Sequence, residues 1–471
     1  MAKVAFFSTL DRHGGGAATA THRLFASMSM HTEEWDPVWI GRFSQVKGKR
    51  KDELESSEAT EEDKVLAKYQ RFLIASNRTK ITNTLFSGNA TGWDFSHSDI
   101  LSDCDLINLH WVTELLNPES ISRLARLSKP IVWTLHDERT FTGGCHYTFG
   151  CQNYLETCDS CPQLNTNLHW LPQKNLNEQI HLKDLPLTFI TPSKWLREKL
   201  VRSTIYNKER HQCSVIANGV DLEVFKPLKK EQKLKLKKKW NLSKNAFCIA
   251  VGGFSLDEDR KGFESINACL DYLIAKVAKQ KPLSELTILA YGYGKFSLPS
   301  INVVNFGFIK DEAQMAEFYG ISDIFVTMTK EDNLPNTVLE SLACGTPVLG
   351  TRVGGLPEMI EEDRNGRLVE KNDYRSMADA IWNCLKAPKK LGFWSSNARK
   401  DAISKYCSQR QASEYSALFK RLIPEENYKS KSLPAIKKIA SRIPVLPNIP
   451  RTLRKEFRKD AQEWYKLQSV S

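Results

Sequence analysis

The stretch ISDIFVTMTKEDNLPNTVLESLACGTPVLGTRV, residues 321 to 353, decides how the chain is read. ISDIFVTMT has the short apolar run of a buried strand, EDNLPN is a turn, and TVLESLACG reads as a helix ended by Gly345, a residue suited to helix C-termini. Pro335 fits the first helical turn, where its missing N–H is not needed. The amides of Asn336 and Thr337 then become donors without intrahelical partners. Asp332 lies in the turn and Glu340, eight residues later, one to two helical turns further on. The plain alternative is a strand-turn-helix with a solvated acid pair.

The same alternation extends outward in both directions. AFCIAVGGF, LTILAYG, INVVNFG and TPVLGTRV read as strands between helical segments, and VAFFST, DLINLHWV, PIVWTLHD, LTFITPS and SVIANGV repeat the pattern in the first half. Short apolar runs alternating with helices predict parallel sheets covered on both faces. The expected fold class is therefore α/β, two Rossmann-like doubly wound domains facing a central cleft, where such folds bind ligands at the carboxyl ends of their strands. The expected boundaries are 1–221 for the first domain, with an insertion at about 45–92 and a Cys-rich loop at 141–165. A linker at 222–245, a second domain at 246–400, a helix at 401–424 returning to the first domain, and a basic tail at 425–471 follow. No repeat relates the two halves at the level of sequence.

The 471 residues exceed what one compact core usually holds, and 41% hydrophobic with 26% charged residues is an ordinary globular composition. No apolar run approaches the roughly 20 residues that span a bilayer, and the N-terminus does not read as a signal peptide, so a cytoplasmic chain is expected. The net charge of +12 is concentrated at the end: residues 429–471 hold 11 Lys/Arg against 3 Asp/Glu, a surplus of 8. Those basic residues are mixed with Leu, Ile, Val, Phe and Trp, which suits an anionic membrane surface as well as a solvated extension. Nucleic acid is not expected as a partner, since no binding motif accompanies the charge.

Four of the eleven cysteines, Cys145, Cys151, Cys158 and Cys161, fall in CHYTFGCQNYLETCDSC with the spacing C-x5-C-x6-C-x2-C. In a reducing compartment this is a candidate structural zinc site, with free thiols or a redox disulfide as alternatives. Gly14, Gly15 and Gly16 follow the first strand and let backbone amides approach an anion, although the spacing is not that of a dinucleotide fingerprint. His136 and Asp137 lie at the end of PIVWTL, where doubly wound folds place their chemistry. Arg260 and Lys261, between a strand and a helix, suit a diphosphate.

Taken together these motifs resemble family 4 retaining glycosyltransferases of the GT-B type. The resemblance rests on the acids around NLPNTVL, on SLACGTPVLGTRVGGLPEMI, GGGAATATHRL, NLHWV, TPSKWL, VIANGVDLEVFKP, RKGFE and NGRLVE. The segment TLHD followed by TGGCHY is similar to bacterial exopolysaccharide transferases of the colanic acid type. The resemblance implies transfer of a hexose from a nucleotide-diphosphate sugar to a glycan or lipid-linked acceptor in cell-surface polysaccharide synthesis. Such a protein would work in the cytoplasm, at the inner face of the membrane, without a catalytic metal or other cofactor. Glu340 would hold the ribose and Asp332 the donor sugar. Arg260, Lys261, Asn333 and the amides of Asn336 and Thr337 would meet the diphosphate, with Gly15 and Gly16 on the same group and His136 near the transferred sugar. Two positions depart from the family: Asp332 replaces the usual first Glu, and IAVGGF lacks the Arg often found after that strand. A sugar-nucleotide epimerase or hydrolase, and a non-catalytic sugar-nucleotide binding protein, are the alternatives on the same architecture.

Overall fold

The computed structural model describes residues 1–10, 14–41, 53–55, 61–279, 285–423 and 460–461. The chain divides into two compact units, one of Met1–Pro192, Leu196–Ile216 and Ala412–Ser471, the other of Ser193–Trp195 and Ala217–Gln411.

The first unit is built on a seven-stranded sheet: β1 (Ala2–Ser8), β2 (Trp35–Gly41), β3 (Glu53–Glu55), β4 (Leu106–Leu109), β5 (Ile131–Thr134), β6 (Leu187–Thr191) and β7 (Gln212–Val215). Their order is β3-β2-β1-β4-β5-β6-β7, every pair parallel. Every residue of β4, β5 and β6 is buried, as a sheet covered on both faces requires. One face is closed by the end of the helix Ser408–Leu422: Tyr415, Leu418 and Phe419 pack with Phe6, Trp35 and Val132.

The second unit carries β8 (Phe247–Ser255), β9 (Leu286–Tyr293), β10 (Asn302–Asn305), β11 (Ile324–Thr327), β12 (Val348–Thr351) and β13 (Gly366–Val369). Their order is β10-β9-β8-β11-β12-β13, again all parallel. A hydrophobic cluster lies on each face, one around Phe318, Phe325 and Leu342, the other around Leu270, Ile288 and Trp382.

Two expected boundaries differ from the structure. Residues 222–245 are not a free linker: they contain the helix Lys230–Lys239, and Phe225, Leu236, Trp240 and Leu242 join the core of the second unit. The second unit also continues past residue 400, through the helix Pro388–Lys405 to Gln411. Of the insertion, the helix Glu61–Ser76 and the irregular chain after it are described, and Ile74 and Phe86 pack on Cys145, Cys161 and Leu164 of the Cys-rich loop. The basic tail lies outside the described residues apart from 460–461. Among the described residues no helix is long and apolar enough to cross a membrane.

Candidate active site

In the second unit the strand order reverses between β8 and β11. Such a switch point is where open α/β sheets hold ligands. The loop after β8 carries Arg260 and Lys261 in a single 3₁₀ turn, Asp259–Lys261. The chain after β11 makes the turn 328–335 and enters the helix Asn336–Ala343 with Pro335 as its N-cap, at φ −65°. The first amide bonded inside this helix is that of Val338, which donates to Pro335 O at 3.1 Å. Asn336 and Thr337 therefore supply the first-turn amides at the positive end of the helix.

Asp332 is the hub of the turn. Its Oδ2 accepts from Lys261 Nζ at 2.7 Å and pairs with Arg260 Nη1 at 2.8 Å, while its Oδ1 accepts from the Asn333 amide at 3.0 Å. Burial alone pushes this carboxyl up, but the charges of Lys261 and Arg260 outweigh it and lower its pKa to about 2. Arg260 is itself buried, and also donates to Glu258 Oε1 at 2.9 Å and Glu331 O at 3.0 Å. The two cations are thus matched by two acids, Asp332 and Glu258. Arg260 acts as a bracket for the turn, whereas Lys261 is tied through a single ammonium on a flexible stem. At Gly253, where the family resemblance implies an arginine, a Cβ would lie 3.8 Å from Lys261 Cγ, an ordinary contact distance.

The turn is backed by glycines whose purpose the sequence does not announce. A Cβ on Gly354, which sits at φ +57°, would meet Asp332 O at 1.7 Å, and the Gly355 amide donates to the same oxygen at 3.0 Å. Gly262, at φ +70°, presses on the exit of β11, where a Cβ would reach Met328 O at 2.0 Å. Glu340 is buried further along the helix, and its Oε2 accepts from Tyr319 OH at 3.3 Å. The hydroxyls of Tyr291 and Tyr319 lie 3.3 Å apart beside it; burial, then their neighbours including Glu340, push both phenols up. Neither tyrosine was singled out in the sequence, where aromatic residues in a strand and a helix read as core.

In the first unit the strand order reverses between β1 and β4. Gly15, at φ +106°, caps the helix Gly16–His31 directly after β1. His136 and Asp137 follow β5. His136 Nε2 lies 3.1 Å from Nδ1 of His110, which follows β4, and 3.4 Å from Thr21 Oγ1. Asp137 accepts from Trp111 Nε1 at 3.0 Å and the Arg139 amide at 2.9 Å, and pairs with His146 Nδ1 at 2.7 Å. Burial raises the Asp137 carboxyl, but His146 and the hydrogen bonds bring it below its ordinary value. Behind it Ser87 Oγ lies 2.9 Å from His146 Nε2, so the insertion is tied to the loop that carries Asp137. A small cavity of about 40 Å³ opens here, lined by His110, Trp111, His136, Asp137 and Arg139 among others.

Cys145, Cys158 and Cys161 are buried and Cys151 half-buried, all four as free thiols lining one small cavity of about 20 Å³. The donor chemistry suits zinc, yet among the described residues no three His, Cys, Asp or Glu side chains are grouped to hold a metal ion. Burial pushes the Cys158 thiol up to about 12.

The structure thus brings Arg260, Lys261, Asp332, Asn333, Asn336, Thr337 and Glu340 onto one loop pair and helix of the second unit, and places Gly15, Gly16 and His136 at strand ends of the first. Residues 250–387 match the family of glycosyl transferases group 1. Over 275 residues the chain is 26% identical to the putative colanic acid biosynthesis glycosyl transferase WcaC of Escherichia coli, covering 55% of this chain and 62% of that protein, less than two thirds of its length. Among solved structures, sucrose-phosphate synthase from Thermosynechococcus elongatus aligns with a TM-score of 0.59 at 15% identity, over 90% of this chain and 99% of that one. Anabaena HepE in complex with UDP and glucose aligns with a TM-score of 0.58 at 15% identity, over 90% and 100%. Both likenesses are of fold. The chain has the GT-B fold of these glycosyltransferases, and its residues 250–387 match the glycosyl transferases group 1 family.

Proposed function

We propose that the protein is a retaining glycosyltransferase of family 4 that moves a hexose from a nucleotide-diphosphate sugar to a glycan or lipid-linked acceptor in cell-surface polysaccharide synthesis. The observation that carries this reading is the meeting of Lys261, Arg260 and Asp332 with the first amides of the helix Asn336–Ala343 at the switch point between β8 and β11. The relatives support it: a polysaccharide transferase is similar in sequence, and UDP and UDP-glucose are bound in the structures of HepE.

In this reading Glu340 accepts hydrogen bonds from the ribose hydroxyls. As the bond between sugar and phosphate stretches, charge develops on the leaving diphosphate, and donors already in place there lower the barrier. The helix amides and Lys261 are those donors. Lys261 can swing from Asp332 to phosphate because Arg260 keeps the carboxylate paired. The acceptor hydroxyl gives its proton to a departing phosphate oxygen on the same face, so the anomeric configuration is kept without a protein nucleophile, and His136 faces the transferred sugar. Asp332 contributes by orienting the cations and holding the turn, a role more indirect than that implied by the family resemblance.

Zinc in the Cys-rich loop is a separate proposal, as a staple and not as part of the reaction. Binding of the basic tail to the inner face of the membrane is another. Incubation with a panel of nucleotide sugars and lipid-linked acceptors tests the main reading. Nucleotide release that requires acceptor supports transfer, while epimerised or hydrolysed donor without acceptor, or binding without turnover, points to the other two classes.

A further inference from the structure

A buried line of polar side chains runs through the first unit to His136. Tyr415 OH lies 2.9 Å from Thr134 Oγ1, Thr134 Oγ1 donates to Asn108 Oδ1 at 3.4 Å, and Asn108 Nδ2 lies 3.0 Å from His110 Nε2. His110 Nδ1 in turn lies 3.1 Å from His136 Nε2, with ring centroids 5.3 Å apart and ring planes inclined by 26°. Thr134, Asn108, His110 and Tyr415 are all buried, so each bond is made away from competing water.

The orientation of the Asn108 amide, with its carbonyl oxygen toward Thr134 and its nitrogen toward His110, sets the direction of the whole line. Thr134 donates to the Asn108 carbonyl oxygen, so its own oxygen accepts from Tyr415 OH. The Asn108 amide nitrogen can only donate, so His110 Nε2 accepts and the His110 proton sits on Nδ1. That proton is donated to His136 Nε2, which leaves the His136 proton on Nδ1. Both imidazoles are neutral near pH 7: burial holds His110 well below its ordinary value, and lowers His136 to about 4 against the opposing pull of Asp137.

We propose that His110 is a positioning residue that sets the tautomer and ring orientation of His136, so that His136 offers an Nδ1–H donor to the substrate. The inference rests on the proposed function only for the identity of that substrate, a sugar hydroxyl; the tautomer itself is a property of the unliganded protein. It also explains why a tyrosine on the last described long helix is buried against a strand more than 280 residues earlier in the chain.

Long-range proton–nitrogen correlation spectra of the full chain, labelled with 15N-histidine and free of ligands, read the tautomer directly, with Asn108→Asp as the perturbation and His136→Gln to assign the signal. The expected result is His136 protonated at Nδ1. In Asn108→Asp, whose carboxylate can only accept, the proton should move to Nε2 of both rings, with kcat falling at least tenfold and the donor KM little changed. His136 protonated at Nε2 in the wild-type chain overturns the proposal, and this arm needs no variant to fold. If His136 carries Nδ1–H but no acceptor-dependent transfer is found, the positioning stands and the transferase reading alone fails.

Discussion

At Asp332 the short acid and the two cations make sense only together. An Asp at this position reaches Lys261 and Arg260 while keeping its other oxygen on the Asn333 amide, so the charge that looked available for a sugar is engaged in holding the turn. The two cations should consequently respond differently to removal. Lys261→Ala leaves Asp332 paired with Arg260 and should cost little stability but about 100- to 1,000-fold in kcat, the usual loss when a donor to a leaving group is deleted. Arg260→Ala breaks three hydrogen bonds, to Asp332, Glu258 and the Glu331 carbonyl, while Lys261 still pairs with Asp332, and should destabilise by about 1.5 to 3 kcal/mol in a urea melt. Equal stability losses in the two variants would contradict the division of roles. The acid also has a pH signature. Its folded pKa, about 2, lies below the unfolded value near 3.9, so its stabilisation is complete above about pH 4 and is lost as pH falls toward 2. That contribution is on the order of 2 kcal/mol, and Asp332→Asn should flatten the slope of stability between those pH values. An unchanged slope would show that the ion pairs contribute nothing net.

Among the elements, the strand-turn-helix around Glu331–Gly350 was legible because its signals agree: a β-branched and aromatic strand, Pro335 at the helix start and Gly345 at its end, which adopts φ +72°. β2 is hard to see in the sequence, because Pro37 within WDPVWIG argues against a strand; the structure nonetheless pairs Pro37 with Val4 in register. The partnership of Ser87, His146 and Asp137 was likewise invisible, because it joins residues up to 59 positions apart that carry no local pattern. The Cys-rich loop was visible by spacing, and its packing on the insertion helix was not. For the proposed zinc staple, elemental analysis of the purified protein should find about one zinc per chain. Absence of metal would leave the loop a plain hydrophobic packing role.

For the whole molecule, tandem periodicity was enough to expect two doubly wound domains, and the sheets follow it. The expected 222–245 linker differs from the structure for a physical reason: a run of lysines reads as solvated, yet Leu236 and Trp240 within the same stretch pack on the core, and Lys237 is itself buried, its Nζ donating to Ala246 O at 2.7 Å. The tail is an expectation of a different kind, resting on charge alone. Truncation after Ile423 should leave turnover of a soluble acceptor intact and reduce sedimentation with vesicles containing anionic lipid, more so at low salt. Equal sedimentation of both forms would remove the membrane from the account.

The central claim is that the turn after β11 and the loop after β8 hold a nucleotide-diphosphate sugar for transfer. Acceptor-dependent nucleotide release, measured across a donor panel with the wild type and Glu340→Gln side by side, tests it most directly. The account predicts release with at least one donor only when acceptor is present, a product of unchanged anomeric configuration, and a donor affinity weaker by about 1 to 3 kcal/mol in the variant, the usual range for a lost charged hydrogen bond. An inverted product, release indifferent to acceptor, or a variant with wild-type donor affinity would contradict it.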